Sequence, residues 1–342
     1  MTSVKKFRVE RPPTDGSLGR GAFVFTDDYS VFDWGTMPDT IPEKGASLCT
    51  MGAFNFELLE DHGVDTHYRG VHSDGGVVGL DEALAVGPPT EMAIDLTRVP
   101  ELPAVDGIYA YEDYFGAGGQ HYLVPLEVVF RNRVPVGSSL RRRRTPKAVG
   151  LSLSEWPDEA VDLPEPVVEF STKFEEQDRY LDRTEATRLA GPASLDALEA
   201  VAREVNGLVT ERAAQAGLVH QDGKIECLYH DGEIRVADVV GTFDENRFSH
   251  DGQQVSKEVL RRHHRRTQAG WVEAVSAAKK RATREGVVDW RGLCGRGPEP
   301  LDSTVVETVR DLYCAGTNAY TGQRVFDSPS LDDAVAATRA LI

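Results

Sequence analysis

Residues 217–248, GLVHQDGKIECLYHDGEIRVADVVGTFDENRF, hold the densest set of groups able to do chemistry. Asp222, Lys224 and Glu226 alternate with Gly223 and Ile225. On a strand the three charges share one face, and Ile225 and Cys227 point to the other. Such an acid–base–acid row is costly to bury and is usually solvated. Here it runs into Asp231-Gly232, a hairpin signal, and a second strand bearing Asp238. A two-residue loop would set Glu226 opposite Ala237 and send Asp238 to the far face. A three-residue loop over 231–233 would set Glu226 opposite Asp238, within reach of one hard cation. Two carboxylates plus phosphate oxygens suit Mg²⁺, and Lys224 could neutralise a phosphate. Paired acids on a solvated hairpin show the same spacing and are the commoner case.

Two more segments could meet an anion. The turn holding Gly16, Gly19 and Gly21 lets backbone N–H groups approach a charged ligand. It lacks GxxxxGK[ST], which excludes a P-loop. Residues 131–139, RNRVPVGSS, place two guanidiniums before a Gly-Ser-Ser turn. Bidentate arginine plus hydroxyls fits a phosphate monoester, although spacing alone fits a strand end with surface arginines better. The quartet at 141–144 reads as a solvated loop first and a phosphate site second. No histidine pair has metal-ligand spacing and no GxSxG elbow exists. The four cysteines form no CxxC pair, which argues against a zinc site or disulfide framework.

The elements that must position these groups read as α+β. Residues 5–11 and 21–26 form a hairpin, and 46–62 a helix with Gly63 past its end. Residues 73–120, rich in Gly, Pro and acids, read as an insertion with weak structure. A β-type run covers 121–133, and 152–166 is a Pro- and acid-rich connector. Residues 194–217 form an amphipathic helix capped by Ser194. Two strands follow it, then helical sequence over 256–284 and a tail, 285–342, ending in a helix near 331–341. Helices mixed with antiparallel hairpins argue against a doubly wound parallel sheet. The expected domains are 1–123, an antiparallel β domain, and 124–342, an α+β domain bearing the site and the tail.

With 342 residues the chain can build two cores. No run approaches a membrane span, and the N-terminal ten residues lack the apolar stretch of a secretory signal, so a cytoplasmic protein is expected. Net charge is -17, with 55 acids against 38 bases, which disfavours nucleic-acid binding. Only nine of the 38 bases are lysine; an acidic, lysine-poor surface suits a halophilic cytoplasm. A homo-oligomer is possible.

The motifs occur in an order that resembles the phosphoribosylaminoimidazole-succinocarboxamide synthase (SAICAR synthetase) family. The resemblance rests on Asp222-x-Lys224-x-Glu226 with Asp238 twelve residues past the glutamate, and Asp244 and Arg247 downstream. It also rests on Val124-Pro125-Leu126-Glu127 with Arg131 and Gly137-Ser138, on Gly19-Arg20, on Ser30-Val31-Phe32-Asp33, on 41–45 (IPEKG) and on Ser171-Thr172-Lys173. It covers roughly residues 15–280. Arg20 stands where the family has lysine, Pro135 and Val136 precede the Gly-Ser turn, and Leu228 replaces a glycine.

The resemblance implies a two-domain fold related to ATP-grasp enzymes and kinases, with antiparallel sheets and flanking helices. It implies an ATP-dependent ligase that joins L-aspartate to carboxyaminoimidazole ribonucleotide (CAIR) through an acyl phosphate, giving SAICAR. By the same resemblance Glu226 and Asp238 hold Mg²⁺, and Lys224 and Asp222 are catalytic. Gly19 and Arg20 cover the triphosphate, and Leu123 and Glu127 lie along adenine. Arg131, Ser138 and Arg247 take the ribonucleotide phosphate, and Ser30 and Asp33 touch the imidazole ribonucleotide. The alternatives are another ATP-grasp-like small-molecule kinase and a non-catalytic nucleotide-binding homologue.

Overall fold

The computed structural model describes residues 4–105, 108–175, 179–287 and 289–341. The first three residues of the N-terminal segment read above lie outside them. The hairpin β1 (Lys5–Arg11) and β2 (Gly19–Phe25) forms as its alternation requires. Helix α1 (Lys44–Asp61) follows, then β3 (Tyr68–Ser73), β4 (Gly76–Val78), the short α2 (Leu80–Leu84) and β5 (Glu91–Leu96). These strands form one antiparallel sheet in the order β1-β2-β5-β3-β4. Its middle strand, β5, lies inside the segment expected to have weak structure. Flanking prolines and glycines hid a six-residue strand, EMAIDL, that is buried on both sides after its first residue.

A two-stranded ribbon, β6 (Ala104–Val105) and β7 (Ile108–Tyr109), and α3 (Tyr111–Gly118) lead into the long β8 (His121–Val134). Next come α4 (Leu140–Arg143), β9 (Val161–Thr172), α5 (Arg183–Ala190), α6 (Leu195–Gln215), β10 (Val219–His230) and β11 (Glu233–Ala237). Residues 161–166 of the expected connector are therefore the start of β9. The chain closes with β12 (Arg247–His250), β13 (Gln253–Gln254), α7 (Glu258–Thr267), α8 (Ala269–Glu285), α9 (Ser303–Thr321) and α10 (Leu331–Leu341). The second sheet runs β13-β12-β10-β8-β9, with β11 on β10. Both sheets are antiparallel, and helices flank them: the fold is α+β. Ser194 caps α6 by accepting from the N–H of Ala197.

Helix α1 is buried almost all round, as expected of a helix enclosed on every side. One side meets the first sheet, where Gly52 approaches Met92. Another meets α9 of the tail: Ser47 Oγ donates to the carbonyl of Tyr313 at 3.0 Å and lies 2.5 Å from Thr317 Oγ1. The tail expected to belong with the second domain thus packs on the helix of the first. One apolar cluster runs through both sheets.

Gly316 on α9 shows how tight that contact is, because a Cβ there would sit 2.7 Å from the Phe243 ring. Gly316→Ala gains up to ~1 kcal/mol of helix propensity but overpacks the contact by ~1–3 kcal/mol. We expect a net loss of about 1–2 kcal/mol, read as a lower urea midpoint at constant slope. An unchanged midpoint would show that Phe243 yields freely.

Candidate active site

Strand register builds two adjoining charged groups. In the first, Arg131, Asp222 and Arg247 lie side by side on β8, β10 and β12. Asp222 is buried and accepts from Arg131 Nη1 at 3.0 Å, from Arg247 Nε at 2.7 Å and from Arg247 Nη2. Arg131 also donates to Glu169 (3.2 Å) and to the Tyr180 hydroxyl (2.9 Å). Every arm of Arg131 is thus committed within the protein, and Asp222 acts as a clamp between two guanidiniums. This row lines a cavity of about 480 Å³ that also takes in Ser138, Lys224, Glu127, Asp244, Lys257 and Arg261.

In the second group Glu127 and Glu226 stand directly opposite on β8 and β10. Like charges in that position repel, and Asp238 adds a third. Lysines from three segments offset them. Lys224 bonds Glu127 and lies 3.7 Å from Glu226, Lys173 lies 2.5 Å from Glu226, and Lys5 bonds Asp238. Burial and the charge of Asp238 push the Glu226 carboxyl up to about 7, against the pull of Lys173 and Lys224. For Asp238 burial also opposes ionisation, but Lys5, Lys173 and Lys224 together outweigh it and hold the carboxyl below the usual range. Lys224 is itself desolvated, yet Glu245, Glu226 and Glu127 raise it well above an ordinary lysine.

The hairpin reaches this arrangement by neither simple register. Its loop has two residues, Asp231 and Gly232, both at positive φ, and Glu226 pairs with Ala237. Strict alternation would then turn Asp238 away. Instead Asp238 takes φ 62, a left-handed conformation that Asp tolerates, and leaves the strand. His67 Nε2 donates to its carbonyl at 3.0 Å. The three-residue loop is not formed, and the acids still converge on the same lysines.

The other expected residues are placed apart. Arg20 pairs with Asp95 at 3.1 Å. It faces the opposite side of the first sheet from Phe23 and Phe25, beside which Lys5 lies, because positions 20 and 23 differ in parity along β2. Gly19 is needed for packing, since a Cβ would come 2.4 Å from the Arg11 carbonyl. Both backbone groups of Leu123 are spent, its N–H on the Arg98 carbonyl (2.9 Å) and its C=O on the Tyr114 hydroxyl (2.7 Å). Asp33 bonds Lys279 with its side chain 84% exposed, and neither it nor Ser30 lines the cavity. The basic quartet is not solvated throughout: Arg143 grips Glu169 at 2.8 Å and stacks on Tyr180.

Sequence reasoning gave Lys5 and Lys257 no part in the site, and took in Lys44 only as one residue of the 41–45 segment. Lys5 had no spacing relation to the acids, because β1 lies 233 residues from Asp238. Burial lowers the Lys257 ammonium, opposed by Glu245 and Asp244. Lys44 is fully buried and donates to Asp244 at 2.8 Å.

Residues 14–278 match the SAICAR synthetase family. The chain belongs to that family. A protein of Archaeoglobus fulgidus, itself named a phosphoribosylaminoimidazole-succinocarboxamide synthase only provisionally, is 39% identical over the whole of both chains. A SAICAR synthetase solved in complex with ADP is 27% identical, with TM-score 0.53 over 76% of this chain and 88% of that one. The Saccharomyces cerevisiae SAICAR synthase, solved with SAICAR, shares the fold at TM-score 0.60 and 20% identity, over 95% and 94% of the chains.

Within this SAICAR synthetase fold the cavity wall depends on neutral histidine. His220 Nδ1–H donates to Thr210 Oγ1 (2.8 Å), and Nε2 accepts from Asn246 Nδ2 (2.8 Å), with Asn246 lining the cavity. Burial pushes His220 down to about 4, against the pull of Asp222; burial likewise holds His67 at about 4. Between about pH 6.5 and 4 the unfolded chain binds more protons at these rings than the folded one, so they withdraw stability as pH falls through that window. His220→Gln should flatten that slope in urea titrations from pH 7 to 4.5. An equal slope in both proteins would show that His220 does not titrate on unfolding.

Proposed function

We propose that the two charged groups form one active site, in which ATP phosphorylates the carboxylate of CAIR and L-aspartate displaces the phosphate to give SAICAR. One observation carries this reading: Lys224 and Glu127 belong both to the lysine–acid group and to the cavity wall. A phosphoryl donor held at one group and an acceptor held in the other would meet at Lys224. The family membership and the 39% identical full-length relative support the same reaction.

A carboxylate is a poor electrophile because its carbonyl is resonance-stabilised and negatively charged. Transfer of the γ-phosphoryl group forms a C–O–P bond, breaks the terminal P–O bond of ATP and releases ADP. The amine of L-aspartate then attacks the acyl carbon, loses a proton and expels phosphate, leaving an amide. Phosphoryl transfer calls mainly for positioning and charge neutralisation. Lys5, Lys173 and Lys224 are the cations for the phosphates in our reading. Arg247, Lys257 and Arg261, with the Ser138 hydroxyl, serve the ribonucleotide and the amino acid carboxylates, while Arg131 fixes Asp222 and through it Arg247.

Glu226 and Asp238 would hold Mg²⁺, which would draw charge from the transferred phosphoryl oxygens. Their hard carboxylate oxygens fit that ion. No cluster of three protein ligands exists among the described residues, so phosphate oxygens would complete the shell. We place the enzyme in the cytoplasm, supported by four buried free thiols, and read its acid excess as adaptation to high salt.

The test is ADP release with ATP, Mg²⁺, CAIR and L-aspartate, run at low and high salt. We expect turnover to need all four and to rise with salt. Glu226→Gln should cost at least about a hundred-fold in kcat with the fold intact. ADP release that ignores aspartate would point to a kinase instead, and ATP binding without turnover to a non-catalytic homologue.

A further inference from the structure

Helix α9 lies beyond the family-matched span, which ends at residue 278, yet it reaches the cavity wall. Tyr313 on α9 is 1% exposed, and its hydroxyl donates to Asp244 Oδ1 at 2.7 Å. The other oxygen, Oδ2, accepts from Lys44 Nζ at 2.8 Å. Lys44 opens α1, is fully buried and lies over the Tyr313 ring, 5.5 Å from its centroid. Asp244 itself lines the cavity beside Lys257 and Asn246. With both oxygens bonded from behind, by groups on two different helices, the carboxylate has a single orientation toward the cavity.

A tyrosine buried only to fill the core would need some acceptor, and Tyr320, two turns further along the same helix, shows that case. Its hydroxyl donates to Asn55 Oδ1 at 2.7 Å, and neither residue lines the cavity. Tyr313 differs because its acceptor is part of the site. The same helix also receives the Phe243 ring against Gly316, so it supports the residue that precedes Asp244.

We propose that Tyr313 is a positioning residue of the active site, supplied by the C-terminal tail, which fixes Asp244 together with Lys44 for recognition of the ribonucleotide. This rests on the functional reading above. Asp244 meets the substrate, and Tyr313 acts through it without touching it. The tail is then part of the enzyme's specificity and not only a cover for α1.

Tyr313→Phe keeps the ring and removes the hydroxyl. Loss of a buried hydrogen bond to a charged group should raise the KM for CAIR about ten-fold. The KM for ATP and kcat should stay within about two-fold. Tyr320→Phe, matched in burial and helix, should leave all three constants within about two-fold. Equal CAIR constants in the two variants would overturn the proposal while leaving the reaction standing. A wild-type chain that does not ligate CAIR and L-aspartate would remove the functional reading and the proposal with it. Should Tyr313→Phe not fold, ¹³Cζ-tyrosine spectra of the wild-type protein decide: added CAIR should move the Tyr313 resonance and not that of Tyr320. A static Tyr313 resonance at saturating CAIR counts against the proposal.

Discussion

Three carboxylates, one buried and two half-buried, that cannot stand together without help organise this molecule. Glu127 and Glu226 are cross-strand neighbours, and Asp238 sits close enough to raise the Glu226 carboxyl. At an effective dielectric of about 20, two unit charges 4 Å apart cost roughly 4 kcal/mol. The lysines that offset this come from β1, from the loop after β9 and from β10 itself. Closing the first hairpin against the second sheet is therefore an electrostatic requirement as much as an apolar one. Removing Lys5 or Lys224 takes from Asp238 or Glu127 the lysine it bonds, whereas Glu226 has both Lys173 and Lys224 beside it.

The same logic operates one layer behind. Lys44 is an ammonium with no exposed surface, tolerable only because the Asp244 carboxylate meets it at hydrogen-bond distance. Burial would raise that carboxyl, but Lys44, Lys257 and the Tyr313 hydroxyl together bring it down to about 2. The helix of the first sheet, the loop after β11 and the tail helix are thus fixed at one point. Apolar contact alone is non-directional; a charged pair with both oxygens bonded has a direction, and that direction opens onto the cavity.

Much of this was legible in the residues, for physical reasons. Alternation over 222–226 has a period that only a strand satisfies, so Asp222, Lys224 and Glu226 fall on one face and Ile225 and Cys227 are buried behind them. The i, i+3, i+4 pattern of α6 and its serine cap were equally local. What escaped was non-local or conformational. β5 lay hidden between glycines and prolines, because a short central strand has little room to show a pattern. Asp238 reaches the lysines through one left-handed residue, which no hydrophobic pattern encodes. Arg20 shared its glycine turn with the groups thought to cover phosphate, but strand parity sends it to Asp95, and Lys5, with no motif around it, takes the place beside the acids. Arg131 and Asp222 have the types of binding and catalytic residues, yet their bonds spend them on each other; residue type does not reveal whether a guanidinium is free.

The charge balance at Glu226 also constrains how ligands arrive. Burial and Asp238 push the pKa of the Glu226 carboxyl well above the ordinary carboxylate range, so its charged form is disfavoured relative to a solvated glutamate. A cation placed beside Glu226 and Asp238 must lower that value, because it favours the charged form, and so its binding is linked to proton release. An anion that draws Lys173 away has the opposite effect and favours proton uptake. A metal–nucleotide complex brings both charges together, so in the reading proposed above the two shifts would oppose each other. The lysines and acids therefore neutralise one another across three segments of the chain, β1, the residue after β9, and β10.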